Sequence, residues 1–457
     1  MRSAFIIISF SSICSLSCLA QDTLLYIQGF VVEGNRKTKE WLITRECGFQ
    51  VGDTLTSKRV DAVAREIQTN VVNLQLFASV DVLPVPLPDD QILFLITVTE
   101  RWYLYPVPVI QLAEPNFNVW WKNRKDSRTN YGMKFRQYNF RGRNERLAVT
   151  VKFGWTREFA VGLSSPYLIK GKNWGFSVNA KYKENEEVNT GTIDNERIFF
   201  SGDDNRTRVE QNYSIGLGYR PDIFQNHTLA LRFEDVHTAD SLSILFPDYL
   251  ERGRTRLQQF RASYAYSKVN VDRKGYPQRG YSYGLRVEKK GLGLMQNAAD
   301  VLDIQGAVRR YIPLGDRWTT QHSVSGKMTL YNRLPYYLQQ GLGYGNISVR
   351  SYEFYIIDGQ NYVLSRNNLN YKLVQEKCVR FPSALDRMFP EVSFAAHLNL
   401  ILDLGYVQDE LYNEVNPLSN ELLLGTGLGL DIVSNYDYVF RIEYTINRLE
   451  EQGLYLH

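Results

Sequence analysis

Methionine and histidine are scarce in this chain, at 5 each in 457 residues, and cysteine stops at 4. The histidines (His227, His237, His322, His397 and His457) are scattered, which argues against a zinc site. Cys14 and Cys18 fall in an N-terminal leader, and the remaining pair, Cys47 and Cys378, makes neither a disulfide framework nor a metal spacing. An excess of charge of one sign is also missing. The 53 Lys and Arg stand against 49 Asp and Glu, a net charge of +4, so nucleic-acid binding gains no support. Beyond the N-terminus no apolar run approaches the roughly 18 residues of a membrane-crossing helix, which excludes a helical membrane protein. The mean hydropathy is −0.32. Internal repeats and low-complexity stretches are absent too. What the chain has is aromatic side chains, 30 Tyr and 23 Phe among them, and many short segments that alternate apolar with polar residues. Such a composition suits a β-barrel with lipid-facing residues at every second position, although a soluble β-sandwich would share some of it.

Met1 to Ala20 reads as a secretory signal, with Arg2 as the positive end, Ala4 to Ile13 as the apolar core and Cys18-Leu19-Ala20 as the small-residue cleavage site. Ser15, three positions before Cys18, does not suit a lipoprotein signal. Residues 21–100 then form a compact β-α-α-β-β pattern. Leu25 to Val32 is a strand closed by the turn pair Gly34-Asn35, and Thr38 is placed to cap a short helix carrying Trp41, Leu42 and Arg45-Glu46. Thr56 starts a second helix, on which Val60, Val63, Ala64, Ile67 and Val71 share one face. Two strands follow, Ala78 to Leu83 and Ile92 to Thr99, the latter with Ile92, Phe94, Ile96 and Val98 on one side. Glu100-Arg101-Trp102 runs on without a flexible linker, so the two parts of the chain are expected to be rigidly coupled.

Residues 101–457 contain sixteen strand-like segments, the clearest with period two. Leu147 to Phe153, Tyr281 to Glu288 and Tyr438 to Ile446 all set charged or small polar residues between large apolar ones. The expected fold is mainly β, a 16-stranded antiparallel transmembrane β-barrel with a hydrated lumen behind one small α+β domain. Connections alternate in length as outer-membrane barrels do. The short ones include Phe140 to Asn144 and Ser434 to Asp437; the long ones include Glu184 to Asn205 and Asn332 to Gly359. Val269 to Gly280 and Lys377 to Pro390 are sizeable on the short side.

The longest connection, residues 332–360, holds the glycine-rich run from Gly341 that closes on Val349-Arg350-Ser351-Tyr352. In the thirteenth segment, Phe394 to Leu404, alternation turns Leu398, Leu400, Leu402 and Leu404 outward and His397, Asn399, Ile401 and Asp403 inward. By the same parity Asn368, Asn370 and Lys372 face inward from the twelfth. A loop folded into the lumen would bring Arg350 against Asp403 as a bidentate guanidinium–carboxylate pair.

These motifs resemble those of a known family. Gly34-Asn35, Thr38, Ile43-Thr-Arg-Glu46, Gly52-Asp53 and Leu76-Phe77 match a POTRA domain, the periplasmic module of outer-membrane assembly proteins. Val349-Arg350-Ser351-Tyr352 looks like the VRG(F/Y) signature on the sixth external loop of the BamA/TamA-type superfamily, also called bacterial surface antigens. Asp403-Leu-Gly405 resembles the Asp-x-Gly of the thirteenth strand that holds that arginine, and Tyr276-Pro-Gln-Arg-Gly-Tyr281 the Pro-x-x-Gly-Tyr turn. The resemblance implies an outer-membrane location with the N-terminal domain in the periplasm, a lipid bilayer around the barrel, and accessory periplasmic proteins. Three departures stand out. Ser351 replaces a glycine, which removes backbone freedom at the loop tip. Asn370 stands where a second acidic partner is common, leaving Arg350 with Asp403 alone. One POTRA-like domain is fewer than the general assembly factor carries. In addition, Gly453 to His457 is short for a spanning strand.

Two functions fit. An assembly factor would insert unfolded outer-membrane clients through a weak seam between the first strand (Tyr103 to Gln111) and the last. Pro106 and Pro108 remove ladder donors on one edge, and the stubby last strand with Leu454 and Tyr455 shortens the other. A translocator would instead pass one secreted partner through the lumen; a simple channel ranks third. No Ser/His/Asp set, metal cluster or phosphate-binding glycine loop points to an enzyme, and no cofactor is implied; Gly341-x-Gly-x-Gly precedes no helix.

Overall fold

The computed structural model describes residues 23–112, 129–168, 173–202, 206–296, 298–345, 347–379 and 392–456. The leader expected at Met1 to Ala20 lies outside the described residues.

In the N-terminal domain, β1 (Leu24–Glu33), β2 (Thr54–Thr56), β3 (Phe77–Leu87) and β4 (Gln91–Glu100) form one sheet in the order β2-β1-β4-β3, with β1 and β4 parallel. Helices α1 (Glu40–Glu46) and α2 (Val60–Val72) cover one face. The apolar stripe of α2, Val63, Ala64, Ile67 and Val71, is buried against Ile92, Phe94, Ile96 and Val98 of β4. Each of these valine, isoleucine and phenylalanine side chains contributes about 1.5–3 kcal/mol on full burial.

Two expectations are corrected here. The short edge strand β2 was not anticipated, and it ends at Thr56, so a 3₁₀ turn (Ser57–Arg59) rather than Thr56 leads into the second helix. Thr38 caps nothing. Helix α1 has Lys39 at its cap with no side-chain bond, while the Thr38 hydroxyl and amide both donate to Glu100 Oε1 at 2.6 Å. The ionised carboxylate, which also accepts from the Lys37 amide at 3.0 Å, is the stronger acceptor.

Sixteen further strands form a single antiparallel sheet in sequence order, from the first (Leu104–Leu112) to the sixteenth (Gln452–Leu456). The thirteenth strand (Val392–Gln408) shows why it curls into a barrel with two unlike faces. Leu398, Leu400, Leu402 and Leu404 are exposed outward, while His397, Asn399, Ile401 and Asp403 are buried inward. Between the fifth strand (Trp174–Asn185) and the sixth (Arg208–Tyr219), the connection folds into its own hairpin, Glu187–Ile193 with Glu196–Ser201. That hairpin, loop 334–360 and the loop after the thirteenth strand interlock at one mouth. Ile356 donates its amide to Asn195 O (2.8 Å), and Asn195 accepts from the Leu418 amide at 2.9 Å through its side chain.

The other mouth carries the N-terminal domain. Arg220 reaches Glu46 of α1 at 3.2 Å, and Tyr167 donates its hydroxyl to the same carboxylate. Arg101, directly after β4, donates to Asp437 (2.7 Å), Asn435 O (2.5 Å) and Phe77 O (2.8 Å), tying the sheet to the barrel turn between Ser434 and Val439. Glycine is required at Gly142, which sits at φ +74 and where a Cβ would meet Lys37 O at 2.0 Å.

Tyr103 needs a further correction. The first barrel strand starts at Leu104, and Tyr103 sinks into the N-terminal core, its hydroxyl donating to Leu76 O at 3.0 Å. It belongs to the domain junction, not to the strand edge.

The two cysteines are in opposite settings. Cys47 is buried in the N-terminal core, and burial, aided by Glu46, pushes its thiol up to about 12; Cys378 is exposed. In protein starting at Gln21, a maleimide at pH 7.5 is expected to label Cys378 at once and Cys47 only in denaturant. Equal labelling of both in the folded protein, read by mass spectrometry, would contradict this core.

Candidate functional site

Residues 334–360 join the eleventh strand (Trp318–Arg333) to the twelfth (Asn361–Val379) and fold back into the lumen. A bridge between Leu342 and Ile357 closes the loop on itself. Its apolar residues Leu342, Val349, Tyr352 and Ile357 pack with Tyr362, Leu364, Val407 and Leu423 of the barrel wall. This cluster packs the loop against the wall, and a charged contact lies beside it.

Arg350 points at Asp403, which has no exposed surface. Its Nε donates to Asp403 Oδ2 at 2.7 Å, Nη2 donates to Oδ1, and the Arg350 amide adds a third bond to Oδ2 at 3.2 Å. The planar guanidinium matches the carboxylate edge to edge, a geometry that lysine cannot supply. Arg350 does not rest on Asp403 alone: Nη1 donates to Glu443 Oε1 at 3.4 Å, from the fifteenth strand (Val439–Asn447). Asn370 is not beside the pair, because register places Arg366 opposite Asp403 and Asn370 opposite Asn399, further along the strand. Arg366 donates to Ser348 O at 3.1 Å and lies 3.9 Å from Asp403. Arg350 and Arg366 thus face the carboxylates of Asp403 and Glu443, with the buried Glu353 a third carboxylate of the same group, so each buried charge has opposite charge nearby.

Two glycines make room for the motif. A Cβ on Gly405 would meet Val349 Cγ2 at 2.3 Å, and one on Gly425, in the fourteenth strand (Leu422–Ser434), would meet Arg350 O at 2.0 Å. Ser351 occupies φ +76, in the left-handed region that favours glycine, and its carbonyl accepts from Asn447 Nδ2 at 2.9 Å. Tyr352 is fully buried.

The strand edges form the second feature. Among the described residues no ladder joins the first strand to the sixteenth. The sixteenth pairs only from Gln452 to Leu456; Leu454 faces outward and exposed, whereas Tyr455 is buried with its ring 6.0 Å from Phe354 of the lumenal loop. In the first strand Pro106 and Pro108 lie opposite Phe135 and Met133 of the second strand (Thr129–Gln137). A proline cannot donate, so these must be the non-bonded pairs of the antiparallel ladder. Tyr105, Val107 and Val109 bond the second strand. The backbone at Pro106 and Pro108 turns to the free edge, which there offers carbonyls and no N–H.

An Omp85 superfamily domain model matches residues 139–446, and a POTRA model, described as a surface antigen variable number repeat, matches residues 25–101. The chain belongs to the Omp85 superfamily. No curated protein matches it. Among solved structures this Omp85 protein is similar to CdiB from Escherichia coli, with 15% identity and a TM-score of 0.53 over 100% of this chain and 93% of that one. BamA from Haemophilus ducreyi lacking POTRA domains 1–3 aligns at 15% identity and TM-score 0.49, covering 95% and 83%. CdiB from Acinetobacter baumannii aligns at 12% and 0.47, covering 93% and 70%. At 15% identity the likeness to CdiB from Escherichia coli speaks of fold alone.

Glu443 and Arg366 were missed as partners of the loop. Both stand on the polar side of alternating segments, a signal that marks many residues and does not say which come within reach of Arg350.

Replacing Arg350 with Ala strands Asp403 in a buried site. A loss of about 3–5 kcal/mol and proteolytic opening of loop 334–360 are expected, and a thermal melt within 1 °C of the parent would contradict the assignment. Ser351→Gly should act the other way. Relief of the left-handed strain, of order 1 kcal/mol, is expected to raise the melting temperature slightly, whereas Ser351→Val lowers it.

Proposed function

We propose that this Omp85 protein is an outer-membrane assembly factor that threads client strands through the seam between its first and last barrel strands. The observation that carries this reading is the free edge of the first strand, where Pro106 and Pro108 leave acceptors without donors. Inside a bilayer an unpaired backbone group costs several kcal/mol, so an edge of this kind recruits any strand that brings N–H groups. Because it returns no donor at two positions, the pairing it offers is incomplete, and an incoming client strand can leave again.

On this reading the barrel stands in the outer membrane with the POTRA domain in the periplasm, where it receives unfolded clients. The Arg350–Asp403–Glu443 cluster holds the loop across the lumen, and the interlocked outer loops favour a sideways route over passage through the pore.

Restoring both donors with Pro106→Val and Pro108→Val should strengthen the seam. In proteoliposomes carrying the full chain, insertion of a client barrel is expected to slow severalfold. An unchanged or faster rate would remove the seam from the mechanism. In cells, depletion should lower many outer-membrane proteins together; loss of one exported protein alone would replace assembly with translocation of a dedicated partner.

A further inference from the structure

The lumen holds a second cluster that the seam and the loop arginine do not use. A cavity of about 530 Å³ lies among the successive strands from Thr129–Gln137 to Gly280–Lys290, the outer hairpin and the tyrosines of loop 334–360. Eight cationic side chains line it against three carboxylates. Some of the cations are neutralised in place. Lys181 bonds Glu210 at 2.8 Å, Arg261 bonds Glu234, and Lys152 and Lys290 pair with Glu158 (3.0 Å) and Asp303 (2.6 Å) beside the cavity.

The others are not. Lys183 lies directly across from both Glu158 and Glu210, yet those carboxylates are engaged by Lys152 and Lys181, and its own ammonium makes no hydrogen bond or ion pair among the described residues. Arg232, on the seventh strand (Gln225–Thr238), is in the same state and stands in register with Arg261, a like-charge pair that costs stability. Arg208 donates only to neutral groups, the Tyr249 hydroxyl at 2.7 Å and Asn185 Oδ1 at 2.9 Å, and its Nε is buried without a partner. Arg197 of the hairpin likewise leaves Nε buried and unmet, with its guanidinium 6.0 Å from the Tyr344 ring.

These four cations line one cavity and none bonds a carboxylate among the described residues, although Glu210 acts electrostatically on Lys183 and Arg208; together they give it a strongly positive field. We propose that this cavity binds a multivalent oxyanion, a phosphate- or carboxylate-bearing group, held by Lys183, Arg197, Arg208 and Arg232. Guanidinium forks suit either group, and the volume is that of a small-ligand pocket. The site is independent of the insertion reading and stands or falls by itself.

The test is calorimetric titration of the purified full chain in detergent with pyrophosphate and, separately, with citrate. Saturable one-to-one binding of either is expected; the anion preferred tells phosphate from carboxylate ligands. Lys183→Gln combined with Arg232→Gln should weaken binding at least tenfold, and Lys183→Gln alone about threefold, with the heat-modifiable gel shift of the folded barrel retained. The charge-keeping pair Lys183→Arg and Arg232→Lys should stay within about threefold of the parent. No saturable binding would overturn the proposal. So would an equal loss in Arg309→Gln, a lumenal arginine outside this cavity, since that would reduce the effect to the general field of the lumen.

Discussion

A sheet that faces hydrocarbon on one side has no water with which to satisfy its backbone, so every strand must find a neighbour. The rest of the architecture answers to that constraint. Fifteen successive ladders meet it, and the alternation of exposed leucines with buried polar residues along the thirteenth strand is its side-chain counterpart. Only where the first strand would meet the sixteenth is there no ladder among the described residues. There the chain has placed two prolines, which lower the number of donors left unmet on that edge.

The lumen raises the converse problem, charge enclosed in protein. The loop arginine resolves it locally: Arg350, Arg366, Asp403 and Glu443 come from a loop and three strands and set opposite charges within a few ångströms of one another. Shape is as important as charge, because Gly405 and Gly425 let Val349 and the Arg350 carbonyl approach the wall closely enough for the fork to form. The cation-rich cavity elsewhere in the lumen lacks such balance, and the contrast between the two clusters is what sets it apart as a place for a ligand.

At the opposite end the N-terminal domain is joined by ion pairs and by direct chain continuity. Glu46 meets Arg220, Arg101 spans three acceptors, and Tyr103 buries its ring under the domain, one residue ahead of the first strand. The strand with the proline edge is therefore tethered through one residue to the POTRA core.

Much of this was legible from sequence because its signals are local. Period-two alternation marked the strands and the inward side of Asp403, unequal connections marked the two mouths, and the Val349–Tyr352 motif with Asp403-Leu-Gly405 marked the family. What only the folded chain decided was which inward residues meet. Glu443 reaches Arg350 across strands distant in number, Arg366 rather than Asn370 faces Asp403, and Thr38 turns from its helix to Glu100. Each choice depends on register and on competition among acceptors far apart along the chain, and a pattern of period two carries no information about either.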